Sequence, residues 1–135
     1  MSAQAQALFA NEAFYHAFRT RDIVAMDEIW SKTTPVACIH PGWAALTTRE
    51  AVMESWRTLL KDPQSPEIYC RGAKAFPHVG EVYVFCYETV GSSLLVATNI
   101  FVEEFGSWKL VHHHAGLCNP PSDGLPEEAE PGAMQ

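Results

Sequence analysis

The stretch from Leu94 to Gly116 constrains the fold more than any other part of the chain. It reads LLVATNIFVEEFGSWKLVHHHAG, and its apolar and polar residues alternate on both sides of a glycine. Such alternation predicts two antiparallel strands joined by a tight turn, because successive side chains of a strand point to opposite faces. We place the two-residue turn at Gly106-Ser107, where glycine supplies a positive φ.

The polar residues of this hairpin mark a candidate site. With the turn at that place, Phe101 pairs with His112, and Asn99 pairs with His114. These four side chains then share one face of the sheet, and His113 points to the other. Buried polar groups cost roughly 1–3 kcal/mol each when they are left unpaired. The cluster must therefore be hydrogen-bonded or open to a cavity.

Three helices are predicted ahead of the strands, each from a different signal. Apolar residues recur at three- and four-residue steps from about Ala3 to Thr20. Asp22 is a suitable N-cap for a second, short helix, because its carboxylate can accept from the free N–H groups of the first turn. Thr47 and Glu50 have the spacing of a capping box, which predicts the start of the third helix.

The strands that precede the hairpin complete a single sheet. We predict strands over Val36–His40, Glu67–Phe76 and Val82–Val90. Gly72 indicates a bulge in the second of these strands, and Pro77 indicates a sheet edge. Helices grouped at the start and strands grouped at the end are typical of α+β proteins. The predicted fold is three N-terminal helices packed on a strongly curved, mostly antiparallel sheet, which forms a cone with an internal pocket.

Length and charge limit the classes of function. The chain has 135 residues, enough for one domain, which we assign to residues 1–116. A net charge of −7 without a basic patch argues against nucleic acid or an anionic membrane as a partner. Acids and prolines predict a mobile tail over residues 117–135. There is no long apolar run and no signal-peptide pattern, so we expect a cytoplasmic protein.

Three blocks of the sequence resemble a known superfamily. They are RTRDIVAMDEIW, HPGW with TTREAVMESW, and VATNIFVEEFGSWKLVHHHAG. Over roughly residues 5–116 the chain resembles the nuclear transport factor 2-like superfamily, specifically its SnoaL-like and ketosteroid isomerase-like members. The last block is also similar to the C-terminal strands of the calcium/calmodulin-dependent kinase association domain. The fold predicted above is the one that this resemblance implies.

The resemblance also implies roles for particular positions. Ketosteroid isomerases place an aspartate base before a proline at the end of the first strand, and here His40 stands before Pro41. Their protonated aspartate in the penultimate strand corresponds to Asn99. Their oxyanion tyrosine on the first helix corresponds to Phe14, with Tyr15 next to it. The layout is kept with changed residues: histidine can act as a base near neutral pH, and asparagine can donate to an oxyanion.

Two sets of candidate site residues follow. The candidate catalytic residues are His40, Asn99, His112, His114 and Glu88. The candidate substrate-binding residues are aromatic and would form the pocket walls: Phe14, Tyr15, Phe18, Trp43, Trp56 and Phe101. Glu88 joins the first set on one condition. With a turn at Ser92-Ser93, it pairs with Ala97 and lies on the same face as Asn99.

These residues predict proton transfer of isomerase, cyclase or dehydratase type on a small organic substrate, with no cofactor. Two alternatives stay open: a non-catalytic carrier of a small apolar ligand, and a dimerisation or association module. A metal site is a further alternative, in which His40, His112 and His114 converge because the first strand of this fold lies beside the last. We assign no metal ligand.

The outer face of the sheet is the predicted interface of a homodimer, as the resemblance implies. Both faces of the late strands are too apolar for one of them to meet water. The residues expected on the outer face are Tyr83, Phe85, Val96, Ile100, Val111 and His113.

Overall fold

Three helices pack on one face of a curved five-stranded sheet in the computed structural model, which describes residues 1–126. The helices are α1 (Ala3–Arg19), α2 (Ile23–Ile29) and α3 (Arg49–Lys61), and the strands are β1 (Ala37–Ile39), β2 (Ile68–His78), β3 (Glu81–Val90), β4 (Ser93–Glu104) and β5 (Ser107–Leu117). The predicted α+β cone is thereby confirmed. Within the described residues, no helix combines the length and the hydrophobicity that crossing a bilayer requires.

The strands follow the order β1-β5-β4-β3-β2, so the first strand borders the last. β1 runs parallel to β5, and the other neighbours are antiparallel. β2 is an edge strand, as Pro77 indicates, since proline cannot donate to a further neighbour. The predicted bulge is also present: the β2–β3 register shifts between Arg71 and Lys74, and Gly72 there has φ of 65°.

The core lies between the helices and the inner face of the sheet. Its largest fully buried side chains include Phe14, Tyr15, Trp30, Trp56, Phe101 and Leu110. Aromatic side chains from α1 and α3 pack against the inward positions of β3, β4 and β5. This packing brings the polar residues of the sheet against aromatic rings.

The helix starts agree with the sequence in one case and correct it in another. Asp22 is the N-cap of α2, and its side chain accepts from the N–H of Ala25. The predicted capping box of α3 is wrong: the N-cap is Thr48, whose hydroxyl accepts from the N–H of Ala51 at 3.1 Å. Thr47 is exposed and lies outside the helix. Thr47 and Thr48 offer the same capping chemistry. The prediction chose Thr47 because of its capping-box spacing to Glu50, and the structure uses Thr48.

The central hairpin turns one residue earlier than predicted. Its turn residues are Phe105 and Gly106, with φ of 52° and 83°, the left-handed pair that a tight hairpin requires. A bulge then leaves Val111 without a partner, because Ile100 pairs with His112 while the next residue of β4 pairs with Leu110.

The predicted pairing of Phe101 with His112 and of Asn99 with His114 is therefore wrong. Asn99 pairs with His113, and that histidine faces the core. His112 and His114 face outward instead.

The chain beyond the sheet is only partly described. β5 runs one residue past Gly116, and the N–H of Cys118 donates to the carbonyl of Leu94 at 3.3 Å. The side chain of Pro126 lies against Gly72 of β2. Most of the acidic segment, residues 127–135, lies outside the described residues, so the domain boundary at residue 116 and the mobile tail remain predictions.

Thr48→Ala should lower the free energy of unfolding by about 1 kcal/mol, because the first turn of α3 loses its side-chain acceptor. Thr47→Ala is the matched control and should change this free energy by less than about 0.5 kcal/mol. Urea unfolding of the two variants measures both values. Equal losses, or the larger loss in Thr47→Ala, would contradict the cap assignment.

Candidate functional site

Four polar side chains meet in the core at the inner face of the sheet. They are Tyr15 of α1, Glu88 of β3, Asn99 of β4 and His113 of β5, and each is at most 2% exposed. The three strand residues occupy inward positions of adjacent strands, since Asn99 pairs with His113 and Glu88 pairs with Leu95 on the same face. We call these four residues the interior cluster.

Tyr15 links the interior cluster to α1. Its hydroxyl donates to Oε2 of Glu88 at 2.5 Å. The same hydroxyl accepts from Nδ2 of Asn99 and from the Sγ–H of Cys86, each at 3.2 Å. A phenol that receives two hydrogen bonds is held in one orientation, and its proton is directed at the carboxyl group.

His113 has a defined tautomer. Its Nδ1 lies 2.6 Å from Oδ1 of Asn99, so Nδ1–H donates to that oxygen. Asn99 in turn donates through Nδ2 to Oδ1 of Asn11 at 2.8 Å, which fixes the orientation of its amide. Nε2 of His113 then carries a lone pair, and it lies 4.0 Å from Oε2 of Glu88.

Burial decides the charge states of the interior cluster. Burial raises the pKa of Glu88 to about 7, and the hydrogen bond from Tyr15 only partly offsets this. Burial lowers the pKa of His113 to about 3, and the neighbouring His40 adds to the effect. The pKa of Tyr15 is raised well above its usual range by burial and by Glu88. Near neutral pH, Glu88 is thus poised to gain or lose a proton, and His113 is neutral.

His40 lies beside the interior cluster at the end of β1. Its Nε2–H donates to Oγ of Ser55 at 2.9 Å, since that hydroxyl uses its own proton on the carbonyl of Val52. Burial lowers its pKa to about 4, so the imidazole is neutral. The ring centroids of His40 and His113 are 6.4 Å apart.

Aromatic rings surround both histidines. Trp56 of α3 lies 4.8 Å from His40 and 6.1 Å from His113 between ring centroids. Phe14 lies 5.0 Å from the ring of His113 and contacts Phe18. These rings separate the interior cluster from solvent.

Two other predicted aromatic residues have different surroundings. Trp43 contacts His40 with its ring but is 44% exposed, so it lies at the surface. Phe101 is buried on the same face as Asn99, where it belongs to the apolar core.

The structure corrects the histidine predictions. His112 and His114 lie on the outer face with their ring centroids 6.3 Å apart, so they do not share a face with Asn99. The alternative metal site is also wrong, because His40 lies inside the cone and the other two lie outside. His113, which was assigned to the dimer face, is the histidine of the interior cluster. The bulge in β5 turns His113 inward, so its place in the core could have been predicted only by locating that bulge.

Neither of the two cavities that we describe is lined by the interior cluster. The larger, about 430 Å³, is an open groove between α1, α2 and the tip of the central hairpin. Its polar groups already bind one another: Trp108 Nε1–H donates to Gln6 at 2.7 Å, and Lys109 donates to the carbonyl of Glu28 at 2.7 Å. The smaller, about 20 Å³, lies beside Phe18 and Leu59, between the ends of α1 and α3.

The fold and the placement of polar residues inside the cone define a class: the nuclear transport factor 2-like proteins. The chain belongs to the SnoaL-like domain family, whose sequence profile matches residues 8–119.

The chain is similar to solved structures of differently named proteins. A candidate dehydratase of the nuclear transport factor 2-like family from Streptomyces avermitilis is 26% identical, with a TM-score of 0.76, over 84% of this chain and 94% of that chain. A candidate calcium/calmodulin-dependent protein kinase type II association domain from Thiobacillus denitrificans is 29% identical, with a TM-score of 0.69, over 82% of this chain and 93% of that one.

A curated plant protein also matches. The F-box protein SKIP8 of Arabidopsis thaliana is 25% identical over 109 residues, which is 79% of this chain and 47% of that protein. The chain therefore spans about half the length of this relative.

The raised pKa of Glu88 predicts a pH-dependent contribution to stability. Because the folded value of about 7 exceeds the ordinary 4.5, the contribution is fully present below pH 4.5 and is lost as the pH rises through 7. The unfolding free energy of the wild type, minus that of Glu88→Gln, should therefore fall between pH 5 and pH 8, by an amount on the order of 3 kcal/mol. Urea unfolding across this range measures it, and a constant difference would contradict the assignment.

Proposed function

We propose that this protein is a small-molecule enzyme that transfers protons inside the cone, with Glu88 and His113 as its acid–base groups. The observation that carries the proposal is the Tyr15–Glu88 hydrogen bond, buried beside a neutral histidine. A carboxyl group whose pKa is about 7 can give or take a proton at neutral pH, which general acid–base catalysis requires.

His113 complements Glu88 as the second proton-transfer group. Its Nε2 carries the free lone pair because its Nδ1–H is committed to Asn99, and its lowered pKa of about 3 means that it would hold a proton only transiently, as a relay. The hydrogen bond to Asn99 also holds the ring in place, as the orienting partner of a catalytic histidine does. His40, whose ring centroid lies 6.4 Å from that of His113, is a third candidate acid–base group.

Tyr15 and Asn99 supply hydrogen-bond donors for developing negative charge. Both donate into the centre of the interior cluster, where low polarity strengthens each bond to an oxyanion. Tyr15 would thereby act as the oxyanion donor, a role for which the resemblance implied the position of Phe14. An enolate or a similar oxyanion is the intermediate that such donors would stabilise.

The substrate of this site would be uncharged. No lysine or arginine belongs to the interior cluster or to its aromatic surroundings, so a buried anion would lack a counter-ion. Isomerisation, cyclisation and dehydration of carbonyl compounds all require proton transfer next to a carbonyl group. The likeness to a candidate dehydratase supports this group of reactions.

A substrate would enter beside Phe18. The small cavity at this position opens between α1 and α3, and Phe18 contacts Trp56, which in turn faces both histidines. Arg21 closes the same end, because its guanidinium donates to the carbonyls of Asp62 and Ser65 in the loop after α3. Movement of this loop would admit a ligand.

The exchange of carbon-bound protons tests the proposal. In deuterium oxide, the wild type should catalyse deuterium incorporation at the methyl group of acetophenone, which we would follow by proton NMR. Glu88→Gln and His113→Asn should each lower the catalysed rate by about 100-fold or more.

The matched control is His114→Asn, since His114 lies next to His113 but faces outward. It should leave the exchange rate unchanged. A wild-type rate no higher than that of Glu88→Gln would contradict the proposed function.

A second candidate function, self-association, is favoured by the outer face of the sheet. Phe76, Phe85 and Val96 are 45%, 40% and 37% exposed there, and the two phenylalanine rings contact each other at 5.5 Å. An apolar patch of this kind is typical of a protein interface. The likeness to a candidate association domain supports self-association, and the exposed apolar residues are the reason to place a homodimer interface on this face. A homodimer of this kind is compatible with the proposed enzyme activity, because inward and outward side chains alternate along each strand.

Val96→Glu should shift the homodimer to monomer, because it places a charge within the apolar outer face. Val24→Glu is the matched control, since Val24 is also exposed but lies on α2. Light scattering coupled to gel filtration measures the mass of each variant at micromolar concentration. A monomeric wild type, or equal effects of both substitutions, would contradict this interface.

A further inference from the structure

Two buried indole N–H groups lack a hydrogen-bond acceptor among residues 1–126. They belong to Trp30 and Trp56, and neither side chain is exposed to solvent. Native proteins pair nearly all buried polar groups, so each exception requires an explanation. The two tryptophans differ in their surroundings, and this difference indicates a role for one of them.

Trp56 belongs to the candidate site. Its ring contacts are with His40 at 4.8 Å, Phe18 at 4.9 Å, Phe14 at 5.6 Å and His113 at 6.1 Å, measured between ring centroids. All four partners surround the interior cluster or belong to it. Trp30, in contrast, follows α2 and bridges to Leu110 at the other side of the core.

The nearby polar groups cannot satisfy Trp56 as they stand. Nε2 of His40 donates to Ser55, whose own proton goes to a backbone carbonyl. The carbonyl oxygen of Asn99 accepts from His113. The remaining lone pairs, on His113 Nε2 and His40 Nδ1, accept no hydrogen bond from the indole either, so the N–H of Trp56 is left without a partner among the described residues.

Phenylalanine would fill most of the same space without a donor to satisfy. An unpaired donor in the core is unfavourable, so packing alone does not account for tryptophan here. A donor that the protein leaves unpaired inside a candidate site is suited to an acceptor brought by a ligand.

We infer that the indole N–H of Trp56 binds an acceptor oxygen of the substrate, and that this substrate is an uncharged carbonyl compound with a flat apolar body. The inference rests on the proposed function and deepens it. The aromatic rings of Phe14 and Phe18 contact the flat body, and the N–H of Trp56 recognises the oxygen. Trp56 is then a binding residue that selects for an acceptor, in addition to forming a wall.

NMR of the four indole N–H groups tests this directly in the full-length protein. Acetophenone and ethylbenzene are the two probes, because they match in shape and only the first carries a carbonyl oxygen. Acetophenone should move the indole proton of Trp56 downfield and leave that of Trp30 in place. Ethylbenzene should cause no downfield shift. The variants Trp56→Phe and Trp30→Phe assign the two signals.

The same variants give a second measurement. Trp56→Phe should weaken acetophenone binding about three- to ten-fold, the loss expected for one neutral hydrogen bond, and should leave ethylbenzene binding unchanged. Trp30→Phe is the matched control, since it removes the other unpaired indole, and it should change neither affinity. If a variant fails to fold, sequential NMR assignment of the wild type identifies the two signals, and its titration still decides the question.

The outcomes separate this inference from the proposed function. Failure of acetophenone to bind, a Trp56 signal that does not move, or equal shifts with both probes would each overturn the role of Trp56. Catalysed deuterium exchange together with an unmoved Trp56 signal, or with equal shifts for both probes, would leave the acid–base proposal intact. A shifted Trp56 signal without catalysed exchange would keep the binding role and contradict the enzyme.

Discussion

The bulge at Val111 determines which side chains meet inside the cone. One residue of β5 has no partner in β4, so every residue beyond it changes faces relative to a regular ladder. His113 consequently lies beside Asn99 in the core, and His112 and His114 lie on the outer face. If Val111 were paired in a regular ladder, His112 and His114 would both face inward, where His113 alone now lies against Phe14 and Trp56.

The strands could be predicted from the sequence, whereas the bulge at Val111 could not. The alternation of β4 and β5 is strong enough to predict the hairpin, and the neighbouring β1 follows from the fold that the sequence resembles. When a hairpin turn is misplaced by one residue, each residue is assigned a cross-strand partner two positions away from the true one. Residues two apart share a face, so the predicted face of each side chain stays correct. Glu88 therefore lies on the predicted face although its partner is Leu95. A bulge moves each partner by one position, and this exchanges the faces.

Bulges differ in how visible they are in a sequence. Gly72 indicates the one in β2 because glycine readily adopts the positive φ found there. The bulge at Val111 falls between Leu110 and three consecutive histidines, and none of these side chains indicates a bulge. His40 and Asn99 could be predicted as inward polar residues, whereas the role of His113 depended on a backbone irregularity. Tyr15 could be predicted only as an aromatic wall, because its partner lies 73 residues away.

The alternation of the strands also separates the interior cluster from the proposed homodimer interface. Along β3, Glu88 points into the cone, and the adjacent Tyr87 points outward. Along β4, Asn99 points inward, and the adjacent Thr98 points outward. A substitution on the outer face can alter association without touching the interior cluster, and the reverse holds for the inner face. The two are still mechanically connected, since each strand is one rigid segment of a sheet. A dimer through the outer face would restrain the strands that hold Glu88, Asn99 and His113 in place. A ligand would then have to enter through movement of α1, α3 and the loop after α3.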